Sequence, residues 1–218
     1  MFQRLLAETI GSLFLAATVI GSGVMAERLA GGNAAVALLA NTAATVAVLG
    51  VLVALLAPIS GAHLNPVVSL IQAVRRAMPW REAAAYGLAQ VAGCCLGALL
   101  AHAMFDLPLI QTSLHERTGG SQWLAEAVAT CGLMLVVLGH RRPQDAPWMV
   151  AGWIGAAYWF TASTSFANPA ITLARSMSNT FAGIRPHDVP FFVLAQIAGA
   201  FAGLALAVLL RREVWCRR

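Results

Sequence analysis

Two Asn-Pro dipeptides carry the chemistry that spacing alone makes visible. Asn65-Pro66-Val67 and Asn168-Pro169-Ala170 each open a short apolar segment. Asn is among the favoured N-caps and Pro is favoured at the first helical position, so each dipeptide marks a helix start. From Asn65 to the Arg75-Arg76 pair is about ten residues, or roughly 15 Å of helix, half the thickness of a bilayer core. A helix N-terminus carries roughly half a positive charge. Two such termini meeting at the membrane centre, with the amides of Asn65 and Asn168 turned into a lumen, would donate hydrogen bonds to a small neutral solute. They would oppose cations, protons included. One Asn-Pro alone reads as a plain helix cap; a symmetric pair in a repeat reads as a pore.

Four other groups could do chemistry. Glu8 and Glu126 lie inside apolar runs, where a carboxylate is functional until a partner is found for it. A proton relay and an acceptor for irregular backbone are the alternatives, and the second is preferred because buried backbone N–H groups need partners. His63, two residues before Asn65, either lines the cytoplasmic side of the pore or bonds within its own loop. Arg175 either guards the outer mouth or snorkels to the surface and caps helix ends. Cys94, Cys95 and Cys131 sit in apolar runs and Cys216 in the basic tail, with no CxxC and no Cys/His spacing for a metal. No metal and no cofactor are expected.

The elements that position these groups follow from composition. The chain has 218 residues, 59% of them hydrophobic and 11% charged. A soluble domain is about 25% charged, so this surface belongs in lipid. Six apolar runs, near 5–25, 34–57, 83–104, 123–139, 148–165 and 191–210, are long enough to cross. The first is read as a retained span, not a signal peptide. Two stretches, 58–74 and 166–177, are too short to cross and contain Pro. They are read as re-entrant segments, tolerated where protein or a water-filled cavity surrounds them.

All 14 basic residues are Arg, with a net charge of +5. They come in short pairs between apolar runs, which fits topology and not nucleic acid. With a cytoplasmic N-terminus, Arg4, Arg75, Arg76, Arg81, Arg141, Arg142, Arg211, Arg212, Arg217 and Arg218 lie inside. Arg28, Arg117, Arg175 and Arg185 lie outside. This positive-inside bias puts both termini in the cytoplasm of a multi-pass inner (plasma) membrane protein.

The chain also repeats. Leu6-Ala7-Glu8 matches Leu124-Ala125-Glu126, Asn65-Pro66-Val67 matches Asn168-Pro169-Ala170, and Ala89-Gln90-Val91-Ala92-Gly93 matches Ala195-Gln196-Ile197-Ala198-Gly199. Each half holds three crossings, and an odd number inverts the second half, which places a permeation site near the midplane. Gly93 and Gly97, like Gly199 and Gly203, are spaced for close helix packing. The predicted fold is an all-α membrane protein of six transmembrane helices plus two re-entrant half-helices. It forms one transmembrane domain over 1–218, with inverted repeats of about 1–107 and 120–218.

These motifs resemble the aquaporin (major intrinsic protein) family over essentially the whole chain, most specifically in Ser60-Gly61-Ala62-His63-Leu64-Asn65-Pro66 and Ser165-Phe166-Ala167-Asn168-Pro169-Ala170. The resemblance implies a homotetramer with one pore per protomer, passing water or small uncharged solutes. It also implies that Glu8 and Glu126 brace the re-entrant loops. Val67 departs from the family's usual Ala but keeps the Asn donor. Carrying over the family's narrowest point gives Thr45, Ala156, Ser165 and Ile171. Water-selective members carry bulky aromatic and His groups and an Arg there; here Ile171 stands at the Arg position. The implied constriction is wide and rather apolar, with Arg175 one helical turn beyond on the same face.

The segment 165–184 resembles a bacterial branch associated with arsenic resistance. The expected function is therefore a passive channel for arsenous acid and other metalloid hydroxides, glycerol-like solutes and water. The alternatives are a water-selective aquaporin and a poorly conducting structural protein of the same fold. An enzyme would need a nucleophile–base or metal constellation, and Glu8, Glu126 and His63 are too scattered in sequence to make one. A transporter would need a charged pair poised for ion coupling, and none is evident.

Overall fold

The structure is a computed structural model that describes residues 1–140 and 142–215. Arg141, Arg217, Arg218 and Cys216 lie outside the described residues, as do the side chains of Arg211 and Arg212. The regular elements among the described residues are helical. They are α1 (Phe2–Leu29), α2 (Ala34–Ser60), α3 (Pro66–Val74), α4 (Trp80–Met104), α5 (Gly120–Gly139), α6 (Ala146–Phe160), α7 (Pro169–Ser176) and α8 (Val189–Trp215). One-turn 3-10 helices at Pro143–Asp145 and Pro186–Asp188 lead into α6 and α8.

Local chemistry explains most of the boundaries. Asn33 caps α2, accepting from the N–H groups of Ala35 and Val36 at 3.0 and 3.2 Å. Asn65 and Asn168 cap α3 and α7, with Pro at the first helical position of each. The second span runs past the expected limit at 57, because α2 continues through Pro58 to Ser60. Pro58 sits in the last turn, where a helix tolerates loss of a single bond. The stop comes at Gly61, whose φ of +88° is a left-handed C-cap, its N–H bonded to the Ala57 carbonyl. The fifth span is shorter than the run 148–165. Its helix ends at Phe160, and the chain turns irregular before the second re-entrant segment. Among the described residues, five helical segments are long and apolar enough to cross a membrane: α1, α2, α4, α5 and α8, the last with its leading turn. With 15 residues, α6 reaches about 22 Å.

Glycines seat the helices in matched pairs. A Cβ added to Gly93 or Gly97 on α4 would strike the carbonyl of Thr9 or Leu13 on α1. One added to Gly199 or Gly203 on α8 would strike that of Ala127 or Cys131 on α5. Backbone-to-backbone approach of this kind is what small residues permit where lipid supplies no hydrophobic drive between helices. The outer surface is apolar, with Leu55, Leu88, Leu124 and Leu194 all more than half exposed.

The two half-helices leave toward opposite ends. From α3 the chain enters the 75–79 connection, close to the ion pair of Arg4 with Glu82 at the start of α1 and α4. From α7 it enters the 177–188 loop; this end pairs with the 105–119 loop through Ser113 N–H to the carbonyl of Ser176, the last residue of α7, at 3.0 Å and Arg185 N–H to His115 O at 2.7 Å. These ends are called the N-terminal end and the loop end below.

Candidate functional site

The two half-helices meet head to head. Asn65 Oδ1 accepts from the Val67 N–H at 3.1 Å and Asn168 Oδ1 from the Ala170 N–H at 3.0 Å, so both amides are oriented by their own helix starts. The Asn65 amide N–H then donates to the Ala167 carbonyl at 2.8 Å, and the Asn168 amide N–H to the Leu64 carbonyl at 2.8 Å. Each Asn therefore spends one N–H tying its helix to the opposite loop. One N–H is left on each, and both residues line the central cavity. Val67 is buried and does not line that cavity, so the departure at this position is a packing feature; its neighbour Val68 faces the lumen.

The loops before the Asn residues are held in matching, otherwise unfavourable backbone. Ala62 and Leu64 have φ of +47° and +50°, and Ser165 and Ala167 have +50° and +48°. These are the third and first positions before each Asn. Non-Gly residues in this region cost of order 1 kcal/mol or more each, and carboxylates in the neighbouring helices hold them there. Glu8 Oε1 accepts from Ser60 Oγ–H at 2.6 Å and the His63 N–H at 3.0 Å. Its Oε2 accepts from the Leu64 N–H and Gln90 Nε2–H, both at 2.7 Å. Glu126 accepts from the Phe166 and Ala167 N–H groups at 2.8 and 2.9 Å and from Gln196 Nε2–H at 2.6 Å. Both carboxylates are fully buried.

Gln90 and Gln196 also donate to Ser69 and Thr172, one turn into each half-helix, at 3.1 and 2.8 Å. Sequence reasoning missed these two glutamines as part of the site. The signal was present, since each is a polar residue inside an apolar run at matched positions of the repeat.

A cavity of about 310 Å³ runs past both Asn residues. Toward the N-terminal end it is lined by Gly61, His63 and Gln72. These three also line a vestibule of about 420 Å³ that holds Arg4 and Glu82. His63 lines the lumen toward the N-terminal end, and its Nδ1 lies 3.0 Å from Ser69 Oγ on α3, outside its own loop. The middle of the wall is apolar, with Leu49, Val53, Leu133 and Val137.

At the loop end the wall carries Thr45, Ser165, Ile171, Tyr158 and Arg175. Ala156 requires correction: it is exposed on the outer face of α6 and does not reach the cavity. Ungapped counting through a span rotates the assignment by about 100° per residue. Tyr158, two residues on, faces inward, with its hydroxyl 3.5 Å from Thr45 Oγ1. This wall is therefore not free of aromatic or charged groups. Its sequence signal was faint, a tyrosine within an apolar run.

Arg175 does not snorkel. It is 3% exposed, its Nε–H donates to the Ala182 carbonyl, and its guanidinium lies 3.4 Å over the centre of the Phe166 ring. Arg117, expected only as a topology marker in the 105–119 loop, turns inward as well. Its Nε–H and Nη1–H donate to the Gly183 and Ser163 carbonyls at 2.8 and 3.1 Å, and its guanidinium lies 4.9 Å from the same ring. Burial pulls the Arg117 guanidinium down to about 10, which leaves it cationic at neutral pH. The Arg117 N–H and Thr118 hydroxyl donate to buried Asp188, and Arg185 pairs with the same carboxylate.

Comparison with known proteins agrees with this architecture. The family profile described as major intrinsic protein matches residues 1–148. The chain is 56% identical to aquaglyceroporin AqpS of Rhizobium meliloti over 158 residues, covering 72% of this chain and 68% of that protein. It is 30% identical to aquaporin NIP1-4 of Oryza sativa subsp. japonica over 159 residues, covering 70% of this chain and 58% of the rice protein. Among solved structures, the aquaglyceroporin from Plasmodium falciparum superposes with a TM-score of 0.67 over 94% of this chain and 93% of its own, at 18% identity, which speaks to the fold. With its carboxylate-braced loops, crossed Asn residues and profile match, the chain is a multi-pass integral membrane protein that belongs to the major intrinsic protein family.

Proposed function

We propose that this protein is a passive channel for small uncharged solutes, with glycerol-type solutes and metalloid hydroxides such as arsenous acid passing along with water. The observation that carries this reading is the cavity that runs past Asn65 and Asn168 with Ile171 in its wall. An uncharged branched chain at that position leaves the lumen beside the Asn pair without a fixed cation. The aquaglyceroporin name of the Rhizobium relative supports solutes larger than water. The family is one of channels, not of enzymes.

In this reading the halves 1–107 and 120–218 are inverted repeats of one domain. The N-terminal end faces the cytoplasm, the loop end faces outward, and four protomers assemble in the plasma membrane, each with its own pore. Glu8 and Glu126 act as braces. Thr45, Tyr158, Ser165 and Ile171 form the narrow outer segment, and Arg175 guards its mouth.

Parallel stopped-flow measurements on proteoliposomes, with water, glycerol and arsenite as permeants, test the proposal. Flux of all three above the lipid background is the expected result. Tyr158 and Arg175 favour a second reading, a water-selective pore, since each narrows and polarises the outer wall; water flux without glycerol or arsenite flux would establish it. No flux above background would leave only the structural role.

A further inference from the structure

The outer end of the cavity holds more positive charge than its protein neighbours balance. Among the described residues, the terminal nitrogens of Arg175 have no hydrogen-bond acceptor; only its Nε–H is engaged. Arg117, on the same phenyl ring, gives its Nε–H and Nη1–H to backbone carbonyls. Neither guanidinium has a carboxylate of its own. Glu126 is taken by the Phe166 and Ala167 N–H groups and Gln196, and Asp188 by the Arg117 N–H, Thr118 and Arg185.

A buried cation without a counter-charge is costly, and a guanidinium presents paired donors that match an oxyanion. The same wall holds further unused donors. Ser165 Oγ is buried without a partner. The Thr45 and Tyr158 hydroxyls, 3.5 Å apart, are too far from each other for a good O–H···O bond, so each is free to turn toward a guest.

We propose that the outer end of the pore is a binding site for a small singly charged oxyanion, held by the terminal nitrogens of Arg175 with the Ser165 and Tyr158 hydroxyls, and that the bound anion plugs the channel. The inference rests on reading this cavity as the permeation path. The site binds the anion but does not conduct it. Inward of Arg175 the wall turns to Leu49, Val53, Leu133 and Val137, which offer a dehydrated anion nothing in return. The positive ends of α3 and α7 deepen the well without adding an exit. Conduction needs binding weak enough to release; an anion held by the Arg175 fork does not meet that condition. A neutral polyol or metalloid hydroxide makes the same hydrogen bonds without the ionic attraction, and leaves.

The test is glycerol flux into proteoliposomes with methanesulfonate, inorganic phosphate or chloride added at matched ionic strength. Methanesulfonate stays ionised, so it does not cross the lipid as a neutral acid. Saturable slowing by methanesulfonate and phosphate, with little by chloride, is the expected result. Arg175→Gln should raise the half-blocking concentration at least about tenfold, as loss of a charge-assisted pair of bonds implies. Arg175→Lys should restore only part of the block, because it keeps the charge and loses the fork.

Glycerol flux that no oxyanion slows, equal block by chloride, or equal block of Arg175→Gln would each overturn the site. A protein with water flux but no glycerol flux would instead favour the water-selective reading, and one with neither flux would defeat the channel reading. Titration calorimetry of methanesulfonate and phosphate into the detergent-solubilised wild-type protein then decides the site independently. Saturable heat with the oxyanions and none with chloride supports it; no saturable heat overturns it, even where the Arg175 variants fail to fold.

Discussion

Replacing Glu126 with Gln separates a brace from a proton carrier. The carboxylate accepts three hydrogen bonds, two of them from the backbone of the loop that carries Asn168. A glutamine has one acceptor oxygen. Its best orientation keeps that oxygen where Oε2 was, serving Ala167 and Gln196, and turns its NH₂ toward the Phe166 N–H. One buried backbone donor is then unsatisfied and faces another donor, at about 1–3 kcal/mol. The two surviving bonds lose their ionic assistance, at about 1 kcal/mol each.

The sum is about 3–5 kcal/mol. For a chain of this size it corresponds to a melting-temperature drop of roughly 10 °C, at about 2–4 °C per kcal/mol. Glu8→Gln should behave alike, because Ser60 can turn its hydroxyl to accept from the new NH₂ while the His63 N–H is orphaned. Thermal unfolding of the purified variants in detergent, followed by tryptophan fluorescence, reads the effect, with water flux measured in parallel. Both variants should lose stability and flux together. An unchanged melting temperature with altered proton or solute flux would refute the brace and return Glu126 to a conducting role.

Three further outcomes follow from the same geometry. Ile171→Arg should place a guanidinium beside the Asn pair and cut glycerol flux roughly tenfold or more, pocket-size discrimination being of that order, while water flux persists; equal loss of both would argue against a size filter there. Gly199→Val should prevent α8 from seating on the Ala127 carbonyl of α5, so that little folded protein is recovered by size-exclusion chromatography, whereas the same change at Gly87, which faces open space, should be tolerated. Buried Asp188 accepts from the Arg117 N–H at 2.9 Å and the Thr118 hydroxyl at 2.7 Å, and pairs with Arg185. Asp188→Asn should therefore lower the melting temperature by several degrees, since weakening a buried, charge-assisted network costs about 1–3 kcal/mol; an unchanged melting temperature would contradict it.

Much of the architecture was legible in the chain because the membrane restricts it so tightly. Apolar runs of spanning length, the Arg pairs between them and the matched Asn-Pro strings each follow from local composition or from one-dimensional spacing, which lipid converts directly into helices and ends. The glycine pairs were legible for the same reason, since a four-residue spacing fixes a helix face.

What only the tertiary structure decided is where side chains point across the lumen. Counting along α6 chose Ala156, whereas the rotation of that helix against α2 turns Tyr158 inward. The sequence placed Arg117 in a connecting loop with nothing to say that the loop folds back. Asp188 and the Ser163 and Gly183 carbonyls draw it onto Phe166 beside Arg175. Spacing identified Asn65 and Asn168, but not that each commits one N–H to the opposite loop's carbonyl and keeps one for the lumen. The physical reason is common to all three: periodicity fixes the axis of a helix and its apolar face, while the identity of a lumen residue depends on helix rotation and on hydrogen bonds between segments up to about a hundred residues apart.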